Sequence, residues 1–232
     1  MTLRLTLGYW GSSTLEIGLA VADDGHATGW QTGGTRVGRF ARALTSAEQA
    51  ALGEALASTS YEGGSGSAIG ETPVAPSGAA EQLVGDALQV TFDPVSGPPA
   101  GLESLIAILT AIRDDLVTTP VAALELTVSG SPPTVRLLHV GREPIRVRAD
   151  GPLGVEVATY DRHNALVDSE AHAVDVADLP AEVGPGWERT LLDHLRPTTP
   201  HSGWLSVSVS SLDVDAVGDG VLRRADLSWV SP

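Results

Sequence analysis

The feature that most constrains the fold is a series of short alternating segments that begins after Thr119-Pro120 and continues to the end of the chain. In each segment apolar and polar residues alternate, which is typical of strands with one buried face. Turn sequences such as Gly141-Arg-Glu-Pro144 and Gly218-Asp-Gly220 separate them. The segments are 121–128, 135–139, 145–148, 155–160, 165–167, 174–176, 205–212 and 221–230. Short strands at this spacing predict a β-sandwich.

The layout of residues 135–148 is a strand, a Gly-x-x-Pro turn and a second strand. This layout resembles that of immunoglobulin-like accessory domains. The resemblance is one of layout only; it covers residues 119–232 and identifies no family. It implies an immunoglobulin-like sandwich over that part of the chain.

The first half of the chain mixes strand and helix patterns. Leu3–Leu7 and Leu15–Val21 alternate as strands do and predict a hairpin. Thr45 and Glu48 have the spacing of a helix-capping box, and apolar residues recur at helical spacing over Leu102–Leu116. The fold class predicted is α+β: a small N-terminal sheet with two or three helices, followed by an immunoglobulin-like β-sandwich.

Two domains follow from this change of pattern. We predict an α+β domain over residues 1–118 and a β-sandwich domain over residues 119–232. Residues 63–80 are rich in Gly, Ser and Pro and carry few large apolar side chains. Such a composition buries too little apolar surface to order itself, which predicts a flexible loop.

Composition excludes several classes of function. All 14 basic residues are Arg, and the chain has no Lys and no Cys. Lysine-dependent phosphate loops, Schiff bases, thiol nucleophiles and thiolate metal sites are therefore ruled out. A net charge of −15 argues against nucleic acid as a partner, since neutralising phosphates needs a basic face.

A membrane location is not expected from the sequence. The longest apolar stretch, residues 105–112, is far shorter than the roughly 20 residues of a membrane span. The N-terminal residues alternate apolar and polar side chains instead of forming the continuous apolar run of a signal peptide. We therefore predict a cytoplasmic protein.

The sequence around residues 213–226 resembles a calcium-binding loop. Counting Asp215 as the first position places Asp219 at the fifth and Asp226 at the twelfth, with Gly220 at the turn position. Val217 stands at the third position, where a ligand oxygen is needed, and the flanking segments look like strands. We expect a hairpin with a Gly-Asp-Gly tip and keep calcium-dependent assembly as an alternative.

Four of the six histidines, namely His163, His172, His194 and His201, lie within forty residues of one another, close to several carboxylates. They allow a metal-dependent hydrolase as an alternative function. No pair has the spacing that places two ligands on one helix face. Residues 161–164 fit a hairpin turn with Asn164 in the left-handed conformation, which favours a structural role for that segment.

Two tryptophans and three arginines are candidates for an interface. Trp204 begins one strand of the last predicted hairpin and Trp229 ends its partner, so they are expected to lie side by side, either as a core pair or as interface anchors. Arg36, Arg39 and Arg42 recur every third residue. They suit an acidic partner or a phosphate, but we favour ion pairs with carboxylates of the chain itself.

The sequence contains no activated nucleophile and no convincing acid–base pair. The leading hypothesis is therefore a non-enzymatic protein-binding or structural module that acts through sandwich loops or an open sheet edge. Its expected partner is another protein, with no nucleic acid, no membrane and no cofactor. The metal-dependent hydrolase and the calcium-dependent assembly module are the alternatives.

Overall fold

The computed structural model describes residues 3–9, 16–59, 79–85, 88–195 and 203–231. The chain divides into two compact units. Unit 1 comprises Met1–Trp30 and Phe40–Pro120, and unit 2 comprises Gln31–Arg39 and Val121–Pro232. The domain boundary between residues 118 and 119 stays a prediction.

The described part of the chain is mostly β, with two α-helices. In chain order the elements are β1 Leu3–Tyr9, β2 Glu16–Val21, β3 His26–Gln31, β4 Gly33–Gly34, β5 Arg36–Ala43, α1 Ser46–Ser58, β6 Ala79–Val84, β7 Gln89–Phe92, α2 Glu103–Leu116, β8 Pro120–Ser129, β9 Thr134–Gly141, β10 Ile145–Asp161, β11 Leu166–Val174, β12 Glu182–Val183, β13 Glu188–Leu192, β14 Gly203–Val214 and β15 Arg223–Val230.

Unit 1 is built on a sheet in the order β3-β2-β1-β6-β7. The strand pairs β1–β2, β1–β6 and β6–β7 are antiparallel. Leu5 lies opposite Leu19 on one side and Leu83 on the other, and all three are fully buried. The predicted alternation of β1 and β2 thus supplies one apolar face, onto which α2 packs.

Helix α1 begins at the predicted capping box. The Thr45 hydroxyl accepts from the Glu48 backbone N–H, and the Glu48 carboxylate accepts from the Thr45 backbone N–H. Both Nη atoms of Arg42 donate to the same carboxylate, at 2.7 and 2.8 Å. These contacts, led by the Arg42 hydrogen bond, lower the pKa of Glu48 from 4.5 to about 2.

Helix α2 buries the stripe predicted from its sequence. Leu105, Leu109 and Ile112 are almost completely inaccessible to solvent. Its C-terminal turn carries Asp115, whose charge is unfavourable next to the helix carbonyls. Arg42 lies 2.9 Å from this carboxylate and compensates for its position.

Unit 2 contains two sheets. One has the order β13-β9-β8 and includes Arg36–Arg39 of β5 beside β8; the other has the order β11-β10-β14-β15-β4, with β12 paired to β10. The short pair between β15 and β4 is parallel. The pairs β10–β11, β10–β12, β10–β14, β9–β13, β14–β15 and β8–β9 are antiparallel. Their buried residues form one hydrophobic cluster, with members such as Leu124, Leu137, Val155 and Val207. Unit 2 is therefore sandwich-like.

Four details differ from the sequence predictions. The segments 165–167 and 174–176, predicted as separate strands, are joined in one strand, β11, and residues 175 and 176 lie beyond its end. Residues 145–148 and 155–160 belong to a single strand, β10, because an irregularity between Ala149 and Gly154 shifts the register without ending the pairing with β14. Strands β12 and β13 were not predicted, since they are too short to show a clear alternation. Residues 79 and 80, assigned to the flexible loop, begin β6.

The remainder of that loop prediction, residues 63–78, lies outside the described residues, as does the turn predicted around Gly11-Ser-Ser13. Within the described ranges, neither helix is long and apolar enough to cross a membrane.

Candidate interaction surface at one end of unit 2

The turn between β10 and β11 shapes one end of unit 2. Asn164 has φ of 63°, the left-handed conformation predicted for this position. The Asp161 carboxylate accepts from the backbone N–H groups of His163 and Ala165, at 2.7 and 3.0 Å. These bonds hold the pKa of Asp161 below its ordinary value. The turn prediction is confirmed, and Asp161 has a structural role in it.

Two aromatic side chains stand on the outer face of the sheet next to this turn. Leu205 and Val207 of β14 face the core, so Trp204 points to the other side. Tyr160 lies directly opposite on β10, and the two rings stack at 4.0 Å between centroids with 8° between their planes. The Trp204 indole N–H donates to the Asn164 side chain at 3.0 Å. The turn thus fixes the ring that borders the surface.

Exposed apolar side chains adjoin this aromatic pair. Leu166 lies opposite Tyr160 on β11 and is 58% exposed, with Val167 beside it in the chain at 47%. Val230 of β15 is 52% exposed and lies opposite Ser206 of β14. Ser206 is the next residue after Trp204 on the outer face of β14. Apolar side chains this accessible are expensive to leave in water, which is typical of a surface that binds something.

A cleft of about 470 Å³ opens at the same end of unit 2. Among the described residues its lining consists of apolar side chains, two serines and backbone. The lining residues are Val128, Ser129, Gly130, Pro132, Pro133, Leu195, Gly203, Trp204, Leu205, Trp229 and Ser231. Because Trp204 belongs to both the cleft and the aromatic pair, the two parts are continuous. We call the cleft together with Tyr160, Leu166, Val167 and Val230 the aromatic end surface.

The predicted side-by-side arrangement of Trp204 and Trp229 is wrong. Trp229 lies directly opposite Val207, a core residue, so it faces inwards and packs partly against the core. Trp204 is three positions before Val207 on β14, and because side chains alternate along a strand it faces outwards. The two rings border the same surface from opposite faces of the sheet, because the register of β14 and β15 differs from the assumed one.

The arginines Arg36, Arg39 and Arg42 point to different partners. Arg36 lies 3.0 Å from Glu125, and Arg42 belongs to the network at the start of α1. Arg39 donates to the Pro144 carbonyl at 3.2 Å and lies 4.0 Å from Glu143. Each finds a carboxylate of the chain, as the favoured interpretation expects, and β5 does not present them together as one basic stripe.

The residues of the candidate calcium loop are not gathered into a metal site. Both oxygens of Asp219 accept from Arg223, which holds the pKa of Asp219 well below its ordinary value. Asp215 is buried and accepts from the Gly218 N–H, and the Asp226 N–H donates to the Thr32 carbonyl. Strands β14 and β15 flank the loop, which is a hairpin connection with Gly218 and Gly220 at positive φ.

The histidines are also dispersed. His163 accepts from its neighbour Arg162, His172 lies 3.4 Å from Glu170 on β11, and His194 lies 3.5 Å from Asp193. His201 lies outside the described residues. Within the described ranges, no group of three or more His, Cys, Asp or Glu side chains is placed to hold a metal ion.

Sequence reasoning found the two tryptophans and missed most of the surface. The pattern predicts Tyr160 and Val230 only as the last residues of two strands, and it gives no role to Pro132 or Pro133. The available signals are a Pro-Pro pair between the predicted strands 121–128 and 135–139, and an apolar residue, Val230, in the polar phase of β15.

Comparisons with protein families, with curated proteins and with solved structures found no match to this chain. The aromatic end surface offers rings, aliphatic side chains, hydroxyls and an amide.

Proposed function

We propose that this chain is a non-enzymatic protein-binding module that engages another protein through the aromatic end surface. The observation that carries the proposal is the joining of exposed Leu166, Val167 and Val230 to an apolar cleft. Burial of apolar surface is the dominant favourable term in most protein–protein association, and Trp and Tyr are enriched among the residues that contribute most to binding. The stacked pair of Tyr160 and Trp204 adds rigid surface, which loses little entropy on binding.

The aromatic end surface, at the end of strands β10, β14 and β15, is a better docking site for a protein than the open edge of the same sheet at β11. The edge strand β11 carries Asp168 and Glu170 opposite Thr159 and Val157, on the side that faces the core. An extra residue, Val167, interrupts its register next to the turn. Inward-facing charges and bulges both discourage a further strand from pairing with an edge.

The proposal includes an immunoglobulin-like architecture for unit 2 and a cytoplasmic location. Two sheets with a common core and the Gly141-Arg-Glu-Pro144 connection between β9 and β10 support the first. Immunoglobulin-like sandwiches commonly present their loops at the two ends of the strands, where the aromatic end surface lies.

The test is affinity capture from a native lysate with matched surface variants. Val230→Asp and Leu166→Asp each place a charge on the aromatic end surface at an exposed position, where folding should be little affected. Val95→Asp is the control, because Val95 is 80% exposed and belongs to unit 1. We expect a stoichiometric partner that binds the wild type and Val95→Asp and is lost with the other two.

Washing with a chelator separates this proposal from calcium-dependent assembly. A partner that survives the chelator and is lost with Val230→Asp supports the aromatic end surface. A partner that Val230→Asp and Leu166→Asp retain, or that the chelator alone releases, would contradict it, and so would the failure to capture any stoichiometric partner.

A further inference from the structure

We infer that the edge strand β11 pairs with β11 of a second copy of this chain when the pH falls and His172 gains a proton. The inference goes beyond the proposed function, because it concerns another part of unit 2 and another partner. It is carried by the exposure of the edge, by the direction of its backbone groups, and by the row of Asp168, Glu170 and His172 on one side of the strand.

The edge at β11 is open to solvent. Strand β11 stands at the end of the sheet β11-β10-β14-β15-β4, and its main packing partner is β10. Six of its nine residues are exposed and the other three are half-buried. The irregularity at Val167 lies next to the turn, so residues 168–174 pair with β10 in an unbroken register. This stretch is long enough to form an ordinary strand pair on its other side.

Backbone groups of β11 point to the open side at every second residue. The Asp161 N–H of β10 donates to the Ala165 carbonyl across the β10–β11 turn, at 2.9 Å. Because backbone groups alternate along a strand, the odd-numbered residues 155–159 also point towards β11, and the even-numbered residues 168–172 opposite them point back. The odd-numbered residues of β11 therefore direct their N–H and C=O groups away from β10. These residues are Ser169, Ala171 and Ala173.

The imidazole of His172 has an unsatisfied ring nitrogen. Its Nε2 is shielded from solvent and makes no hydrogen bond, although Glu170 Oε2 lies 3.4 Å away. A polar atom in this state gains from a partner that reaches it. A second strand along the open side of β11 brings such a partner.

The charges around His172 come from its own segment of the chain. On β10 the residues opposite and next to it on this side are Leu153, Val155 and Val157, which are buried and apolar. Along β11 the charged residues are Asp168 and Glu170. The next charged residues after the strand are Asp175 and Asp178, and Arg189 donates to the Asp175 carbonyl and to the Asp178 carboxylate.

An antiparallel pair of β11 strands centred on Ala171 is complementary once His172 is charged. In this register Glu170 of each copy lies opposite His172 of the other, and the small residues Ser169 and Ala173 lie opposite each other. With neutral imidazoles the row is negative only, which keeps the edge unpaired. Protonated imidazoles create two Glu–His pairs across the strands, and opposite charges in this position stabilise a pair. Histidine changes its charge between about pH 5 and pH 8.

The experiment is sedimentation velocity of the full chain at about pH 7.5 and about pH 5.5, at equal salt concentration. We expect dimerisation to strengthen by at least about tenfold at the lower pH, because two ion pairs form in each dimer. His172→Gln keeps a polar side chain and removes the titration, so its association should stay at the weaker value at both pH values. His26→Gln is the matched control, since it removes an exposed histidine from unit 1 and should dimerise as the wild type does.

Two further variants locate the contact. Ala171→Pro removes an N–H that points to the open side, so it breaks no bond to β10 and should abolish the dimer. Val230→Asp changes the aromatic end surface and should leave the dimer intact. The melting temperatures of all variants verify that they are folded.

A wild type that is equally monomeric at both pH values overturns the inference. A dimer that persists unchanged in His172→Gln or Ala171→Pro does the same, and so does equal weakening by His26→Gln and His172→Gln. Loss of the dimer in Val230→Asp would place the contact elsewhere and would also overturn it. Capture of a partner from lysate does not depend on β11 pairing, so this inference and the proposed function can each fail alone.

Discussion

At the scale of single residues, the chain uses its arginines mainly to neutralise its own carboxylates. Arg42 is the best example, since it bonds Glu48 with both Nη atoms and also lies beside Asp115. The spacing of Thr45 and Glu48 was enough to predict the capping box, because both partners lie within one helical turn. The third member, Arg42, was not predictable as a partner, because β5 brings it there from outside the helix.

Replacing Glu48 by Gln should reveal this network through its pH dependence. Gln keeps the capping-box geometry and removes the charge, so we expect a loss of about 1 kcal/mol in the free energy of unfolding at pH 7, discounted for the exposure of the pair. Because the folded pKa of Glu48 is lowered from 4.5 to about 2, the stabilisation is complete above pH 4.5 and disappears as the pH falls towards 2.

Urea unfolding at pH 7 and at pH 2.5 measures this difference. The wild type and Glu48→Gln should become nearly equal at the lower pH. Glu54→Gln on the same helix is the control, and it should cost little at either pH because Glu54 is exposed. A difference between Glu48→Gln and the wild type that persists unchanged at pH 2.5 would contradict the ion-pair explanation.

At the scale of elements, the β2–β3 hairpin depends on a close approach between a ring and a backbone. A Cβ added to Gly18 would overlap the Trp30 ring. That ring is buried, donates to Glu16, and has the Arg4 guanidinium 5.5 Å from its centre. The alternation of β2 was readable from the sequence, but the reason for a glycine within it was not, because Trp30 comes from the next strand.

Gly18→Ala should therefore destabilise the protein by about 1–3 kcal/mol through overpacking. Gly53→Ala is the matched control, since Gly53 lies within α1 with no atom near its missing Cβ. That change should stabilise by up to about 1 kcal/mol, because Ala has the higher helix propensity. Urea unfolding of both variants measures the two effects, and a neutral Gly18→Ala would contradict the packing described for Trp30.

At the scale of the whole molecule, the net charge of −15 acts on every part of the fold. Like charges repel over tens of ångströms in dilute buffer, and salt shortens the range to about 8 Å at physiological ionic strength. Surface pairs such as Arg148 with Asp213 weaken in salt as well, but each contributes at most about 1 kcal/mol. Salt should therefore stabilise the protein, because it weakens the repulsion between like charges more than it weakens the ion pairs.

We expect the melting temperature at pH 7 to rise by about 2–4 °C between 10 and 150 mM potassium chloride, which corresponds to about 1 kcal/mol for a chain of this size. Circular dichroism measures it. Repeating the scan near the isoelectric pH of about 4.6, where the net charge vanishes, should abolish the rise. A fall in melting temperature at pH 7 would show that the ion pairs outweigh the repulsion.

The sequence by itself determined features whose residues lie within a few positions of one another: the alternation of β1, β2 and the strands after residue 119, the capping box at Thr45, and the turn at Asn164. The tertiary structure decided which strands pair, in which register, and what their ends bring together. It placed Trp204 and Trp229 on opposite faces and joined Pro132 to both in one cleft. The physical reason is that strand alternation has a period of two, so a shift of one residue in a non-local pairing reverses every face while leaving the local pattern unchanged.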